Sequence, residues 1–315
     1  MPRNPQQRLL TPDELAGSLA RLFEHEVFLD MESTDRLVIN RVDARVASVT
    51  SPYQQIDIFR TPHFGLVLTL DGIVQAAESD EQIYHELLIH PACLLHREVR
   101  SALVLGGGDG CASRELLKYR DLEALDLVEI DQAVVDLCGI HFREINRGAF
   151  DDPRLTVIVQ EAETYLRDHP EKQYDLVVAD LTEPYDTAGK AGELSRHIFS
   201  RSFYDFLKRH LKPRGILVLQ TGGITYLPEI DRHHRLIVEG IRKSFRVVGT
   251  AYEYIHSFDQ IWSITIASDY PYDLEGFVPD PVMEEKGLSS LRYYDRISHT
   301  RAFQTPRHLR DSFGE

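Results

Sequence analysis

Ala102-Leu103-Val104-Leu105-Gly106-Gly107-Gly108-Asp109-Gly110 is the stretch on which the fold turns: an apolar run the length of a buried strand, ending in a glycine cluster. Roughly 20 residues further on, Val128-Glu129-Ile130-Asp131 ends a second apolar run in acids. Working outward, helix and strand patterns alternate. Tyr84–His96 is a predicted helix interrupted at Pro91, and Ser113–Tyr119, Asp131–Cys138, Ser202–His210 and Glu229–Ser244 follow as helices. Leu125–Ile130, Leu155–Val159, Leu176–Ala179, Gly215–Leu219, Val247–Tyr254 and Trp262–Ala267 are the strands. Such alternation predicts a parallel, doubly wound α/β sheet, whose ligands sit at the carboxyl ends of the strands. Pro213-Arg214-Gly215 reads as a structural turn before a strand.

Upstream the pattern changes. Thr11-Pro12-Asp13-Glu14 is a helix start, with Leu15, Leu19, Leu22 and Phe23 on one face. Val46–Val49, Gln55–Phe59 and Leu66–Leu70 are β-rich segments separated by Pro52, Pro62, Gly65 and Asp71-Gly72, a small antiparallel module of hairpins. Two units follow: residues 1–78, a helix with the hairpin module, and residues 79–315, the doubly wound unit with a C-terminal packing segment.

The chain has 315 residues with 43% hydrophobic and 27% charged content, enough for a packed core and too apolar for wholesale disorder. With 35 Lys and Arg against 50 Asp and Glu, the formal charge of -15 argues against a nucleic-acid partner and permits a cationic one. Cys93, Cys111 and Cys138 show no paired or metal-ligand spacing. No signal peptide and no membrane-length apolar run is present, so a cytoplasmic setting without a membrane partner is expected.

Four strand ends carry the chemistry. The glycine loop lacks the Lys-Ser/Thr of a phosphate cradle, and Asp109 within it would repel phosphate; a plain tight turn is the alternative. Glu129 is placed to hold a ribose hydroxyl pair, while Asp131 suits a helix cap. Glu161, before Ala162, could meet an adenine amino group or simply start a helix, and the residues leave both open. Finally, Asp180, Glu183 and Asp186 crowd the mouth of the fourth strand, an arrangement unfavourable unless a positive group binds there.

Together these residues resemble the aminopropyltransferase family, which includes spermidine synthase and its spermine, thermospermine and triamine/agmatine relatives. The resemblance runs from Tyr53 to Asp269. It is carried by Tyr53-Gln54, Leu70 to Gln75, Asp80-Glu81, Tyr84-His85-Glu86, Gly106 to Gly110, Glu129 to Asp131 and Asp180 to Pro184. It implies a methyltransferase-like Rossmann sheet and transfer of a 3-aminopropyl group from decarboxylated S-adenosylmethionine to a di- or triamine, releasing methylthioadenosine. The donor is a co-substrate, and neither a metal nor a cofactor is implied. Carried over, Asp180 is the general base, helped by Tyr84. Asp109 binds the donor ammonium, Glu129 the ribose and Glu161 with Ala162 the adenine. Gln54, Gln75, Gly106 and Gly108 line the donor pocket; His85, Asp180, Glu183 and Tyr252 line the acceptor side. A homodimer or homotetramer is implied, as is a small cationic amine as partner.

The chain departs from that pattern in places. Glu161 and Glu183 stand where the family usually has Asp, moving each carboxylate by roughly 1 Å. Asp180-Leu181-Thr182-Glu183-Pro184 and Ile255-His256-Ser257-Phe258 are similar to the thermospermine-like group, and His85 and His256 differ from the spermidine type. Trp262 is expected in core or interface. Two other readings stay open: a methyltransferase on the same fold, against which Asp109 and the acid cluster count, and a non-catalytic polyamine or nucleoside binder, for which Glu161 and Glu183 leave room.

Overall fold

The structure, a computed structural model, describes residues 26–30, 38–181, 200–224, 232–288 and 290–305, with single positions near both ends (11, 13, 14, 16, 17, 20, 307, 309 and 310). At the N-terminal helix start, Thr11 Oγ1 accepts the Glu14 amide while the Glu14 carboxylate accepts the Thr11 amide, a reciprocal cap. The apolar face expected of Leu15, Leu19, Leu22 and Phe23 lies outside the described residues.

Strands β1 (Glu26–Asp30) and β2 (Val38–Val42) pair antiparallel. Then β3 (Ala44–Thr50), β4 (Gln55–Thr61), β5 (Gly65–Leu70) and β6 (Ile73–Ala77) form a four-stranded antiparallel meander. Asp71 and Gly72, both at positive φ, make the two-residue turn between β5 and β6, the backbone that matches strand twist. One face of this meander buries Ile56, Ile58, Leu66 and Leu68 against Cys111, Val134, Cys138 and Phe142 of the unit that follows.

That unit begins with helix α1 (Glu81–His96), then β7 (Ser101–Gly106), α2 (Cys111–Leu117), β8 (Ala124–Glu129), α3 (Gln132–His141), β9 (Leu155–Val159), α4 (Ala162–Asp168) and β10 (Tyr174–Asp180). It continues with α5 (Arg201–Arg209), β11 (Leu211–Ile224), α6 (Arg232–Ser244), β12 (Val247–Ile255) and β13 (Gln260–Ser268). Two short helices, α7 (Asp280–Lys286) and α8 (Arg296–Ala302), end the described chain. The described strands form a seven-stranded sheet in the order β12-β13-β11-β10-β7-β8-β9. The doubly wound expectation holds from β7 to β11, which are parallel. The all-parallel expectation does not, because β13 runs antiparallel to both β11 and β12. Only the 256–259 turn joins β12 to β13, far too short for a parallel crossover.

Two further expectations change. Helix α1 is continuous through Pro91, with 14 of its 16 residues buried. A proline removes one amide and crowds the preceding turn, but packing along the whole helix outweighs that local cost. Pro213-Arg214-Gly215 lies within β11 rather than before it, at a break in register between the Tyr174–Leu211 and Leu176–Ile216 pairs. The local irregularity read from Pro and Gly is real, but the strand resumes across it.

The C-terminal segment is fastened by one acid. Glu86 is buried in α1, and its carboxylate accepts the amides of Arg292, Tyr293 and Tyr294 at 2.9, 2.8 and 2.9 Å. Tyr294 is thereby sunk into the core.

Candidate active site

The strand order reverses between β7 and β10, so the loop after β7 and the end of β10 flank one crevice. Asp180 is the register partner of Gly106 in the parallel ladder. Gly106 has φ of 78°, and a Cβ there would lie 2.1 Å from the Asp180 carbonyl oxygen, so only glycine lets the strands end side by side. Gly108 is less constrained: its Cβ would meet the Glu129 side-chain Oε2 at 2.9 Å, so a larger residue would push that carboxylate aside. The glycines therefore bring the two acids up to the loop.

Asp180 is half-buried and accepts a short hydrogen bond from the Tyr84 hydroxyl, while its other oxygen lies over Gly107. Burial pushes its carboxyl up to about 6; the His85 charge opposes this, Asp109 adds to it, and the Tyr84 hydrogen bond opposes it again. The exit of the chain beyond Asp180 is held by Gln220, whose amide donates to the Leu181 carbonyl.

Asp109 is buried, and its Oδ1 accepts the Cys111 amide at 2.7 Å. The N-terminus of α2, where a phosphate would sit, is thus occupied by the protein's own carboxylate. Its Oδ2 lies 3.6 Å from His85 Nε2. Burial works against the Asp109 charge, but the His85 cation and the Cys111 amide outweigh it and hold the carboxyl below its ordinary range. The His85 ring packs edge-on against Tyr84, at 4.9 Å between centroids. Phe258 also packs edge-on against Tyr84, at 5.9 Å, and tilts onto Trp262 at 4.8 Å. Trp262, expected in core or interface, is half-buried in this aromatic row, and its Nε1 has no hydrogen-bond partner among the described residues.

Glu129 ends β8 with Oε1 on the Asp131 amide at 3.0 Å. Burial raises its carboxyl to about 7, opposed by the amides of Asp131, Ile130 and Gly108. Asp131 caps α3 through the Ala133 amide, as its position suggested, and also accepts from Ser51 and from Gln54 Nε2 at 3.1 Å. Gln54 is thereby tied from the meander to Asp131, two residues beyond Glu129. Glu161 is the N-cap of α4, accepting the Glu163 and Thr164 amides at 2.9 and 2.7 Å, with Ala162 half-buried behind it. Of the two readings left open for Glu161, the helix start is the one seen. Gln75 is half-buried, its Nε2 on the Ile73 carbonyl at 3.3 Å. Tyr252 is buried in a cluster with Ile224 and Leu309, its hydroxyl 3.3 Å from His234 Nε2. Glu183 and Asp186 lie outside the described residues. The structure therefore gathers Tyr84, His85, Asp109 and Asp180 around the glycine loop, with Glu129 and Gln54 beside them.

Glu81 was among the residues that carry the resemblance, but reasoning from sequence gave it no role. It lies one helical turn before His85, and its carboxylate sits 3.0 Å from His85 Nδ1 while gripping Arg114 in a two-pronged pair at 2.7 and 2.8 Å. The i, i+4 spacing was the available signal. Nothing in the sequence pointed to Arg114, which arrives from α2. Glu81, His85 and Cys111 are close enough to share an ion. They do not suit one: Arg114 already occupies the Glu81 carboxylate, and burial holds the Cys111 thiol protonated.

The fold and crevice define a Rossmann-like α/β protein whose switch-point site is lined by acids where a phosphate site would carry none. The comparisons are specific. The spermine/spermidine synthase domain matches residues 81–273, and the spermidine synthase tetramerisation domain matches residues 29–78. The polyamine aminopropyltransferase of Aeropyrum pernix is 35% identical over 289 residues, 90% of each chain. Thermospermine synthase ACAULIS5 of Arabidopsis thaliana is 36% identical over 256 residues, 80% of this chain and 73% of its own. The crystal structure of a spermidine synthase with the transition state analogue AdoDATO aligns with a TM-score of 0.82 at 28% identity, over 92% of this chain and 96% of that one. The chain belongs to the spermine/spermidine synthase family. The family and enzyme class read from the sequence are borne out, and the tetramerisation match supports assembly into an oligomer.

Proposed function

We propose that this chain moves the 3-aminopropyl group of decarboxylated S-adenosylmethionine onto a di- or triamine and releases methylthioadenosine. The observation that carries the reading is the pairing at the switch point: Asp180, with its carboxyl raised to about 6, faces the glycine loop that holds Asp109. An alkyl ammonium, with a pKa near ~10.4, arrives protonated and cannot attack carbon until a base takes a proton. Asp180 takes that proton as the nitrogen forms its bond to the propyl carbon and the C–S bond breaks. A carboxyl near 6 is ionised at neutral pH yet more basic than an ordinary aspartate, which suits the task. Tyr84 orients it. A sulfonium leaves without Lewis-acid help, so the route calls for no metal.

Asp109 attracts the donor's free ammonium and would repel the carboxylate of ordinary S-adenosylmethionine, so one side chain sets donor choice. Glu129 is placed for the ribose hydroxyls, with Gln54 and Gln75 at the pocket edge. Glu161 serves the adenine only by turning from its helix cap. Phe258 and Trp262 offer aromatic faces to the methylenes and ammoniums of an acceptor; Glu183 and Tyr252 remain acceptor-side candidates. The meander supports a homodimer or homotetramer, since it carries the tetramerisation match. Cys93, Cys111 and Cys138 are buried unpaired thiols, which suits the cytoplasm.

The test is mass spectrometry of purified protein with decarboxylated S-adenosylmethionine and putrescine, cadaverine, agmatine, spermidine or norspermidine. The expected result is methylthioadenosine together with one amine heavier by an aminopropyl group. Protein that binds the nucleoside yet turns over none of these amines would overturn the reading.

A further inference from the structure

The two ring nitrogens of His85 have different company. Nδ1 lies 2.8 Å from the Glu81 carbonyl oxygen and 3.0 Å from Glu81 Oε2. Both are acceptors: Arg114 and His85 hold the Glu81 carboxyl ionised despite the burial that opposes it. Nδ1 must therefore carry a hydrogen whether the ring is charged or neutral. Any proton that comes and goes is on Nε2. That nitrogen is sealed from solvent and has no hydrogen-bond partner among the described residues. Its nearest acid, Asp109 Oδ2 at 3.6 Å, is within ion-pair range but beyond a hydrogen bond.

We propose that His85 couples amine capture to proton release: a substrate ammonium that docks on Asp109 takes over the charge of the Nε2 proton, which leaves for solvent, and the bared Nε2 then accepts a hydrogen bond from that ammonium. The inference deepens the proposed function and rests on Asp109 as the ammonium site.

The surroundings support the exchange. The ring is faced by Glu81 on its own helix, by Asp109 from the loop after β7, and at longer range by Asp180 from β10; Tyr84 covers it edge-on. Cys111, also near, stays a neutral thiol, and Arg114 lies behind Glu81. Burial alone would discharge the imidazole, yet Asp109 and Glu81 lift it to about 10, so it is a cation at neutral pH. A second cation beside the same carboxylate removes the reason for that charge. Neutral imidazole with Nδ1–H on Glu81 presents a lone pair from Nε2, so the ammonium gains an acceptor as it loses a competitor. Glu81 and Arg114 are positioning residues here, because they fix which nitrogen titrates.

Isothermal titration calorimetry of the whole protein at pH 8, in phosphate and in Tris, tests this. The titrants are decarboxylated S-adenosylmethionine and methylthioadenosine, which lacks both the ammonium and the sulfonium charge. At that pH Asp180 and most Glu129 are already ionised, and any Glu129 response is shared by both titrants. The expected result is about one proton released per donor bound and close to none for methylthioadenosine. His85→Gln should bind donor without release. Equal heats in the two buffers for the donor would overturn the proposal, as would release that persists in His85→Gln. Even if that variant does not fold, equal proton release for the two titrants in wild type would overturn the proposal. Failure of the donor to bind at all would sink the site assignment itself.

Discussion

Glu86 and Asp180 are both acids set against the core, and the protein treats them in opposite ways. Glu86 is met by three backbone amides of the C-terminal segment, so its charge is answered by its own chain. Asp180 accepts from Tyr84, stands near a second acid, and has its carboxyl raised rather than lowered. An acid whose hydrogen bonds are supplied internally is a fastening. One left short of donors and crowded by like charge is costly unless a cation joins it. The same contrast separates Glu115, clasped by His90, Arg114 and Lys118, from Glu129, whose carboxyl burial raises to about 7.

The largest expected effect follows from removing the base. Asp180→Asn should lower kcat by about 100- to 10,000-fold while donor affinity stays near wild type. In wild type the carboxyl must be ionised to act, so kcat/KM should fall as pH drops through about 6. That limb should be absent from whatever turnover the variant keeps. A variant with normal turnover would place the base elsewhere and erase the distinction between the two acids. Next comes Glu86→Ala, which strands the amides of Arg292, Tyr293 and the buried Tyr294 and should cost about 1–3 kcal/mol, read as a lowered urea midpoint. Unchanged stability would mean the C-terminal segment is held by its aromatic packing alone.

A further effect depends on pH. The folded pKa of His85, about 10, lies above the ordinary 6.5, so its contribution to stability is complete below about 6.5 and is lost as pH rises through 10. Urea midpoints of wild type and His85→Gln should therefore differ most near pH 6 and converge above pH 10. A gap independent of pH would mean His85 acts by packing.

How much of this could be read beforehand follows from which forces act locally. The glycine loop, the strand-end acids and the Asp71-Gly72 turn were legible because backbone conformation and strand periodicity are written in adjacent residues. Asp131 as a cap was legible for the same reason. The antiparallel close of the sheet was not read, although the shortness of the 256–259 turn contained it. Pro91 misled because local propensity marks a break that the buried packing of α1 overrides. The Glu81–Arg114 grip and the Glu86 fastening were not legible, since their partners are 33 and more than 200 residues away. Glu161 illustrates the limit: the same acid can cap its helix or meet an adenine, and only the side-chain direction distinguishes them.

The central claim is that the acids at the strand ends select a cation, and donor choice tests it most directly. The measurement is kcat/KM for decarboxylated against ordinary S-adenosylmethionine, in wild type and in Asp109→Asn, which keeps an oxygen for the Cys111 amide but removes the charge. Wild type should prefer the decarboxylated donor strongly. The variant should lose on the order of 10- to 150-fold of that preference, the worth of one charge-assisted contact. An unchanged preference in Asp109→Asn, or methyl transfer from ordinary S-adenosylmethionine by wild type, would contradict the account.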